Sequence, residues 1–459
     1  MKTNKAYSIK FIDVLDGIRA LSVIIVLIFH FWQQTWIFPV IDTPYLKFVG
    51  LTRIDFTPFA RVGYLFVDMM ILISGMLLFL PVARNMLLGE PLEKWRIFYK
   101  KRAIRILPSY LFCIALLFVY ELCSGGYGTP IDFKTAFTDL VSHLLFLHTW
   151  KTQTYLATRL NVVLWTLGVE VWFYIIFPLL ACFVRRRRNE KNALRSLIRG
   201  AVLAAVMTGL SLVYIHCYVL NTGSPFAESV DAFLYRIGSG IRSSYPSMVI
   251  NQLPAFFGTY AVGFVGAVIY VAFASKVKPH PAIGAVATVL SVGMMWLMVQ
   301  MIKDCARCDP AAAQIWQVTE RLPLALCFMG VILTTAFAAK WYRFLFSNPL
   351  MHFLSLISYN LYIWHQWLCV QLKNVWRIPA WTGEDPPNMW YGPDYTAAEQ
   401  AFGLKWRSEY ALVITLFAFG AAILATFLIE RPAADLLNGR PSVYNGKLKT
   451  LFTKKEKRS

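Results

Sequence analysis

The sequence predicts an all-α, polytopic membrane protein with a bundle of about ten transmembrane helices and both termini in the cytoplasm. Of its 459 residues, 57% are hydrophobic and only 15% are charged, whereas a soluble domain has about 25% charged residues. The apolar residues fall in runs of roughly 20, the length that crosses the hydrocarbon core of a bilayer. Lys and Arg number 45 against 25 Asp and Glu, which gives a formal net charge of +20.

Ten apolar runs justify the helix count. They are 18–33, 61–82, 106–123, 161–184, 200–220, 250–274, 282–302, 320–339, 350–372 and 410–429. The first run stays as a helix, because no small-residue cleavage site follows FHFWQQTW.

The basic residues give the orientation. The N-terminal segment, the C-terminal segment and alternate connections hold 29 Lys and Arg residues, and the other five loops hold 13. Basic residues are retained on the cytoplasmic side, so both termini are predicted there. The RRRR run at 185–188 is interpreted as a topogenic signal. The positive charge therefore indicates sidedness and excludes nucleic acid as a partner.

The chain divides into one transmembrane domain, 1–432, and a basic cytoplasmic tail, 433–459, that lies near anionic lipid. Among eight scattered cysteines, only Cys305 and Cys308 are closely spaced. Two thiols supply half of the four ligands that a structural zinc needs, so no metal site is expected. A local disulfide and two free thiols both remain open.

Ionisable side chains inside membrane spans are costly and indicate function by default. They are Arg19, His30, Asp68, Glu170, His216 and His365. Arg19 and His30 are eleven positions apart, so they share a helix face at a separation of roughly 16 Å. A buried His can act as a base or a nucleophile. Alternatively, Arg19 reaches lipid phosphate and His30 satisfies a hydrogen bond in the core.

Two acidic residues are predicted at a depth close to that of His30. Asp68 lies about 12 Å and Glu170 about 13 Å below the outer surface if each span is a straight helix. A carboxylate beside a His can orient the imidazole and stabilise its protonated form. For Asp68, a structural hydrogen bond inside the bundle is an equal alternative. His216 is taken as structural.

A cationic cluster precedes span three in FYKKRAIRILPSY. Arg102 and Arg105 are three residues apart and share a helix face, close to Arg19 at the inner interface. Guanidinium groups bind phosphate through paired hydrogen bonds, so an acyl-CoA is a candidate ligand. Lipid headgroups or topogenesis would also explain the cluster.

The outer half of span nine, ISYNLYIWHQW, supplies a candidate acceptor entry formed by His365, Tyr362 and Trp364. Two long external loops flank it. Residues 124–160 predict a surface helix, and 373–409 carry the aromatic and acidic run WTGEDPPNMWYGPDY, which can contact a sugar or form an interfacial belt.

Together these segments resemble acyltransferase family 3, a family of integral membrane acyltransferases. The resemblance covers residues 12 to about 432 and rests on LDGIRAL with its Arg and His, FVDMMILISG, RAIR before LPSY, LWTLGVE, ISYNLYIWH and IERP, in that order. Phe66 and Val171 depart from the family's usual residues, and neither is assigned to chemistry. The extra external C-terminal hydrolase-like domain of some relatives is expected to be absent.

The resemblance implies a membrane O-acyltransferase in the plasma membrane. It would move an acyl group, most often acetyl, from cytoplasmic acyl-CoA to a hydroxyl of a cell-surface or exported glycan. His30 would be the central catalytic residue, as base or acyl carrier, with support from Glu170 or Asp68. Arg19, Arg102 and Arg105 would bind the donor, and no metal is implied. The alternatives are a lipid or small-molecule acceptor, a glycan-precursor transporter or exporter, and a non-catalytic sensor.

Overall fold

A computed structural model describes residues 7–35, 40–49, 52–187, 193–244, 246–376 and 404–438. These residues are helical apart from loops and one small antiparallel sheet, which confirms the predicted all-α class. In the sheet, β1 (Val40–Asp42) pairs with β2 (Arg53–Asp55), with Ile41 opposite Ile54.

The helices include one at each of the ten predicted apolar runs, together with shorter helices between them. They are α1 (Val14–Thr35), α2 (Thr57–Arg61), α3 (Phe66–Leu88), α4 (Trp95–Ser124), α5 (Phe133–Leu144), α6 (Thr152–Tyr155), α7 (Trp165–Val184), α8 (Leu194–Val213), α9 (Pro225–Arg236), α10 (Pro246–Val249), α11 (Leu253–Lys276), α12 (Pro281–Arg307), α13 (Pro310–Thr319), α14 (Arg321–Phe337), α15 (Lys340–Ser347), α16 (Pro349–Trp376), α17 (Leu404–Ala425) and α18 (Arg431–Asn438). Short 3-10 or π turns extend several of them, among them Gly63–Leu65 before α3, Val162–Leu164 before α7, Tyr214–Val219 after α8 and Thr426–Glu430 between α17 and α18.

Eight helices in the described part of the chain are long and apolar enough to cross a membrane. The pair α13 and α14 makes a ninth candidate, although the two helices meet at 62°. Helix α16 occupies the predicted span 350–372 but is not among these candidates, because polar side chains such as Asn360 and His365 run along it. The protein is therefore a multi-pass integral membrane protein, and the estimate of about ten spans corresponds to eight or nine apolar helices plus α16.

Helix α4 extends beyond the apolar run of span three, 106–123. It begins at Trp95 and continues without a break to Ser124, as the shared helix face predicted for Arg102 and Arg105 requires. The charged segment before the apolar run is therefore helical, and Arg102 and Arg105 are fixed on the rigid helix that enters the membrane. Gly125, with φ 79°, ends α4 in a left-handed turn that favours glycine.

Helix α3 is central, since 83% of its most apolar 18-residue stretch is buried inside the protein. Helix α12 is peripheral, since only 17% of the corresponding stretch is buried. The close packing of the central helices depends on glycine. A Cβ atom on Gly17 would lie 2.2 Å from the Phe346 carbonyl oxygen, and one on Gly263 would lie 2.9 Å from the Met76 nitrogen. Small residues therefore let α1 approach α15, and let α11 approach α3.

The basic segments gather at one end of the bundle, here called the basic end. Arg343 binds Asp13 at 2.7 Å, and the Arg186 backbone N–H donates to the Asn85 side chain at 2.8 Å. The N-terminal end of α1 and the C-terminal end of α17 both lie there, as the charge pattern requires. The identity of the basic end as the cytoplasmic side stays a prediction.

The surface helix predicted within 124–160 is present as α5, which begins at the Asp132 cap. Two other predictions cannot be compared with the fold. Residues 377–403 of the predicted external loop 373–409 lie outside the described part of the chain. Residues 439–459 of the predicted tail 433–459 also lie outside it.

Candidate active site

Three helices bring the predicted donor-binding residues around one cavity, here called the arginine cavity. Arg19 comes from α1, Arg102 and Arg105 come from α4, and Glu170 and Tyr174 come from α7. The volume open to the centre of a water molecule is about 70 Å³, enough for a handful of waters at about 10–15 Å³ each. The cavity is narrow, so it suits a polar group or a slender chain and not a whole nucleotide. The remaining lining residues are Val67, Met70, Ile71, Ser74, Leu77, Ile106, Thr166, Leu167, Ser358, Tyr359 and Tyr362.

The cavity has an excess of positive charge. Three guanidinium groups face one carboxylate, Glu170, and Arg19 lies within electrostatic range of both Arg105 and Glu170. The Arg102 guanidinium carbon lies 5.5 Å from the centre of the Tyr174 ring. The Arg102 Nε atom is buried and has no hydrogen-bond partner among the described residues. A buried donor without an acceptor is costly, so this group is suited to an anionic ligand.

Glu170 belongs to this cavity through its neighbours. The Tyr174 hydroxyl donates to the Glu170 carboxylate at 3.2 Å, one turn along α7, and lies 3.4 Å from the Ser74 hydroxyl on α3. These contacts hold the carboxylate beside Arg19. Glu170 is therefore placed with the arginines, and it makes no hydrogen bond to His30 within the described chain.

His30 lies beside the other predicted site histidine, His365. Their ring centroids are 4.9 Å apart, and His30 is 9% exposed while His365 is fully buried. His365 Nδ1 donates to the Tyr362 carbonyl at 2.7 Å, so the Nε2 of a neutral ring carries the lone pair. His30 Nδ1 is 2.7 Å from Gln33 Oε1, which orients its ring in the same way. Two imidazoles with available Nε2 atoms can accept a proton or attack a carbonyl carbon.

Tyr362 connects the histidine pair to the arginine cavity. Its side chain lines the cavity, and its ring centroid lies 5.6 Å from that of His365. Its hydroxyl donates to the Val163 carbonyl at 3.3 Å. Trp364, also predicted at the acceptor entry, is buried and packs against Phe112 of α4 at 6.1 Å. The structure therefore brings Tyr362 and His365 to the site and places Trp364 on the neighbouring side of α16.

Comparison with known sequences places the chain in a family. A family model described as an acyltransferase domain, Acyl_transf_3, matches residues 12–431. The chain belongs to acyltransferase family 3. That model covers every residue assigned to the site, from Arg19 to His365.

Several curated relatives of this acyltransferase family 3 member are O-acetyltransferases. O-acetyltransferase OatA of Staphylococcus aureus is 25% identical over 223 residues, 46% of this chain and 31% of the relative. Peptidoglycan O-acetyltransferase OatA of Listeria monocytogenes is 23% identical over 228 residues, 47% of this chain and 31% of the relative. A putative O-acetyltransferase of S. aureus is 21% identical over 376 residues, 79% of this chain and 51% of the relative. The aligned part thus spans about a third to a half of these relatives. No solved structure matches.

Asp68 of this family member is engaged by an arginine that the sequence analysis did not include. The Arg321 Nε atom donates to the Asp68 carboxylate at 3.4 Å, and both side chains are 2% exposed. Arg321 also donates to the Ile250 carbonyl at 2.8 Å and stacks on Phe256 at 4.2 Å. A buried carboxylate needs such neutralisation. The structural alternative therefore has a named partner, and a catalytic role for Asp68 stays a prediction.

Other buried polar groups also escaped the sequence analysis. Arg321 stands at the start of an apolar run, where a charge is a recognisable signal. Glu430, in the IERP motif, accepts from Asn360 at 2.7 Å and lies within electrostatic range of Arg105. In the segment before α7, His143 stacks on His148 at 4.3 Å. Asn360 and Glu430 are 70 positions apart, so no spacing rule in the sequence pairs them.

A second pocket, here called the outer pocket, opens at the end of the bundle opposite the basic end. It is formed by Tyr120, Glu121, Arg159, Asn161, Gln366, Trp367 and Gln371, with Ser124, Thr158, Leu160, Val162 and Val370 around them. The Tyr120 and Trp367 rings meet edge to face at 5.1 Å, and the Tyr120 hydroxyl donates to Gln371 at 3.0 Å. Gln366 directly follows His365 on α16, so the pocket reaches the level of the histidine pair along that helix.

The described residues contain no group of three or more His, Cys, Asp or Glu side chains that could hold a metal ion. Cys305 and Cys308 are both free thiols in this structure, and Cys305 Sγ lies 3.8 Å from the Tyr64 hydroxyl.

Proposed function

We propose that this protein is an O-acyltransferase that moves an acyl group, acetyl above all, from acyl-CoA to a hydroxyl of a cell-envelope glycan. The observation that carries the proposal is the arginine cavity, which lies within a membrane bundle and is joined through Tyr362 to the pair His30 and His365. The names of the relatives, which include a peptidoglycan O-acetyltransferase, support acetyl as the group and a cell-wall glycan as the acceptor.

The donor fits the spacing of the charged and titratable groups. Arg19, Arg102 and Arg105 would hold the diphosphate of CoA, for which guanidinium groups are well suited. Arg19 and His30 are separated by roughly 16 Å along α1. The pantetheine arm has the reach of about five extended residues, which is also roughly 16 Å. A diphosphate bound at the arginines would thus place the thioester near His30.

Two chemical routes use the histidine pair. In direct transfer, His30 takes the proton of the acceptor hydroxyl, the oxygen forms the ester bond, the carbon–sulfur bond breaks, and the leaving CoA thiolate receives the proton. In the second route, His30 Nε2 attacks the thioester carbon, the carbon–sulfur bond breaks, and CoA leaves as the thiolate. The acceptor oxygen then takes the acyl group from the imidazole, which returns to its neutral form, and the hydroxyl proton goes to the CoA thiolate. Both routes leave one ester and one CoA thiol. We favour His30 as base.

The supporting roles follow from the contacts. The charge of Glu170 would orient Arg19. The Tyr174 hydroxyl would hold the Glu170 carboxylate in place. Asp68 would act on His30 only at a distance, because its carboxylate is bound by Arg321. His365 and Tyr362 would position the acceptor beside His30, with Trp364 packed behind them.

The acceptor would enter from the outer pocket. The aromatic pair of this pocket, Tyr120 and Trp367, can stack against a sugar ring. The carboxylate, guanidinium and amide side chains of the pocket can bind hydroxyl groups of the sugar. We place the basic end in the cytoplasm, where acyl-CoA is available, and the outer pocket on the other face of the plasma membrane.

Reconstitution in proteoliposomes tests the proposal. Purified protein receives radiolabelled acetyl-CoA and soluble peptidoglycan fragments, and the label on the glycan is measured. We expect transfer, and we expect the Arg102→Gln, Arg105→Gln double variant to raise the KM for acetyl-CoA at least about tenfold. Arg96→Gln is the matched control, because Arg96 is an exposed arginine on the same helix.

The outcomes separate the alternatives. Absence of transfer together with movement of a glycan precursor across the vesicle membrane would replace the enzyme with a transporter. Transfer to lipid or a small molecule, but to no glycan, would retain the reaction and correct the acceptor. An equal KM in the double variant and in Arg96→Gln would remove the arginine cavity from donor binding.

A further inference from the structure

A second cationic pocket lies at the basic end, here called the basic-end pocket. It is formed by Asn85, Lys94, Trp95 and the arginines at 185, 186 and 187, and about 680 Å³ of it is open to water. Pockets for small molecules fall between about 300 and 1,000 Å³. The sequence predicts only a topogenic role for the arginine run, and the proposed donor site does not use it.

Helices α3, α4 and α7 connect this pocket to the arginine cavity. Along α3, Leu77 of the cavity is eight residues from Asn85, and along α4, Arg102 is seven residues from Trp95. Tyr174 of the cavity lies on α7, and the arginine run directly follows the end of that helix. At about 1.5 Å per residue these steps are roughly 10–16 Å. The basic-end pocket therefore lies directly beyond the arginine cavity on the path to the basic end.

The chemistry of the pocket matches a nucleotide with a terminal phosphate. Lys94 and three arginines supply four cations, while the one acidic residue in the lining, Glu93, is already bound to Lys101. No side chain caps the N-terminus of α4 there, so its first-turn N–H groups also favour an anion. The Trp95 ring offers a face for a base.

The backbone fixes the arginine run against the neighbouring helix. The Arg186 N–H donates to Asn85 Oδ1 at 2.8 Å, and the Asn85 side-chain amide donates to the Glu90 carbonyl at 2.7 Å. A run that served only as a topogenic signal would not require this connection. The Arg186 bond thus holds the run against α3 at Asn85, which lines the pocket.

We propose that the basic-end pocket binds the 3′-phosphoadenosine half of CoA, so that recognition of the donor depends on its 3′-phosphate. This inference rests on the proposed function. The diphosphate would occupy the arginine cavity, the acyl arm would extend toward His30, and the adenosine would occupy the basic-end pocket. The protein would then discriminate CoA thioesters from thioesters of dephospho-CoA, which lack only that phosphate.

The test compares CoA with dephospho-CoA, using the full-length protein in nanodiscs and isothermal titration calorimetry. We expect the wild type to bind CoA at least about tenfold more tightly, the effect of one charge-assisted contact. In the Arg186→Gln, Arg187→Gln double variant this ratio should fall below about threefold. In Lys94→Gln, which keeps the arginine run intact and avoids a change of topology, it should fall at least about twofold. Arg96→Gln should keep the wild-type ratio.

Each contrary result has a distinct meaning. Equal binding of CoA and dephospho-CoA by the wild type would overturn the inference and leave the proposed function intact. An unchanged ratio in the variants would also overturn the inference and leave the proposed function intact. Retention of labelled phosphatidylglycerol is measured on the same proteins. If the arginine variants lose only this retention, the pocket is a lipid-headgroup site and the inference is overturned. Absence of binding of either ligand, with no transfer from acetyl-CoA, would overturn the proposed function itself.

Discussion

The buried pair of Asp68 and Arg321 gives a prediction that separates stability from catalysis. Removing one partner of a buried ion pair leaves an uncompensated charge, which costs about 3–5 kcal/mol. Here the two groups are 3.4 Å apart and 2% exposed. Asn keeps one acceptor oxygen, and Arg321 keeps its bond to the Ile250 carbonyl. We therefore expect Asp68→Asn to lower the free energy of unfolding by about 2–3 kcal/mol, and Arg321→Met by about 3–5 kcal/mol.

The double variant Asp68→Asn, Arg321→Met completes a thermodynamic cycle. Because neither charge is then left alone, its loss should be smaller than the sum of the single losses by at least about 2 kcal/mol. The assay is equilibrium unfolding in mixed micelles, followed by tryptophan fluorescence. The exposed pair of Asp304 and Arg307, with side chains 61% and 77% exposed, is the control. Asp304→Asn should change the unfolding free energy by under about 0.5 kcal/mol.

Activity measured on the same variants assigns the role of Asp68. A structural pair predicts that the double variant regains most of the acetyl transfer that Asp68→Asn loses through unfolding. If Asp68→Asn unfolds like the wild type but transfers no acetyl group, the structural reasoning is refuted and the carboxylate belongs to the chemistry.

Three further predictions concern other parts of the bundle. Gly17→Ala should cost about 1–3 kcal/mol of unfolding free energy, because its Cβ would meet the Phe346 carbonyl oxygen at 2.2 Å; an unchanged unfolding midpoint would contradict the close approach of α1. Tyr174→Phe removes the hydroxyl that donates to Glu170, and should lower kcat/KM for acetyl-CoA about three- to tenfold at unchanged expression; wild-type kinetics would show that the contact is idle. Burial, and then the neighbouring imidazole, lower the pKa of His148 well below its usual 6.5. The unfolded chain therefore binds the extra proton, and stability should fall by up to about 1.4 kcal/mol per pH unit below about pH 6.5; a His148→Gln variant with the same pH slope would refute this.

The sequence predicted the helices well because hydropathy is a local property. Runs of about 20 apolar residues must be helical in a bilayer, whatever they pack against. Hydropathy marks only the apolar run 106–123 of α4, because charged residues continue a helix without being apolar. It also gave no sign of the 62° bend between α13 and α14. The part of α16 around 357–365 is largely buried in protein, so it carries polar side chains such as Asn360 and His365 in place of a lipid-facing apolar surface.

The sequence predicts which residues form the candidate site, but it does not predict which of them are in contact. Depth along a helix follows from counting residues, which is why His30 and the acids were expected at one level. Which helices are neighbours depends on packing across the whole chain. Asp68 and Arg321 are 253 positions apart, and so are outside the reach of any spacing rule. The pairing of His30 with His365 likewise needed the contact between α1 and α16.

The proposed mechanism requires the His30 imidazole for acyl transfer, and one pair of variants tests this requirement. His30→Ala and His216→Ala are purified in proteoliposomes and given labelled acetyl-CoA and peptidoglycan fragments. His216 is exposed on the π turn after α8, which makes it a matched control for loss of an imidazole. We expect His30→Ala to bind acetyl-CoA but to transfer less than about 1% of the wild-type label. We expect His216→Ala to transfer label at the wild-type rate. Wild-type transfer by a correctly folded His30→Ala protein would contradict a catalytic role for His30.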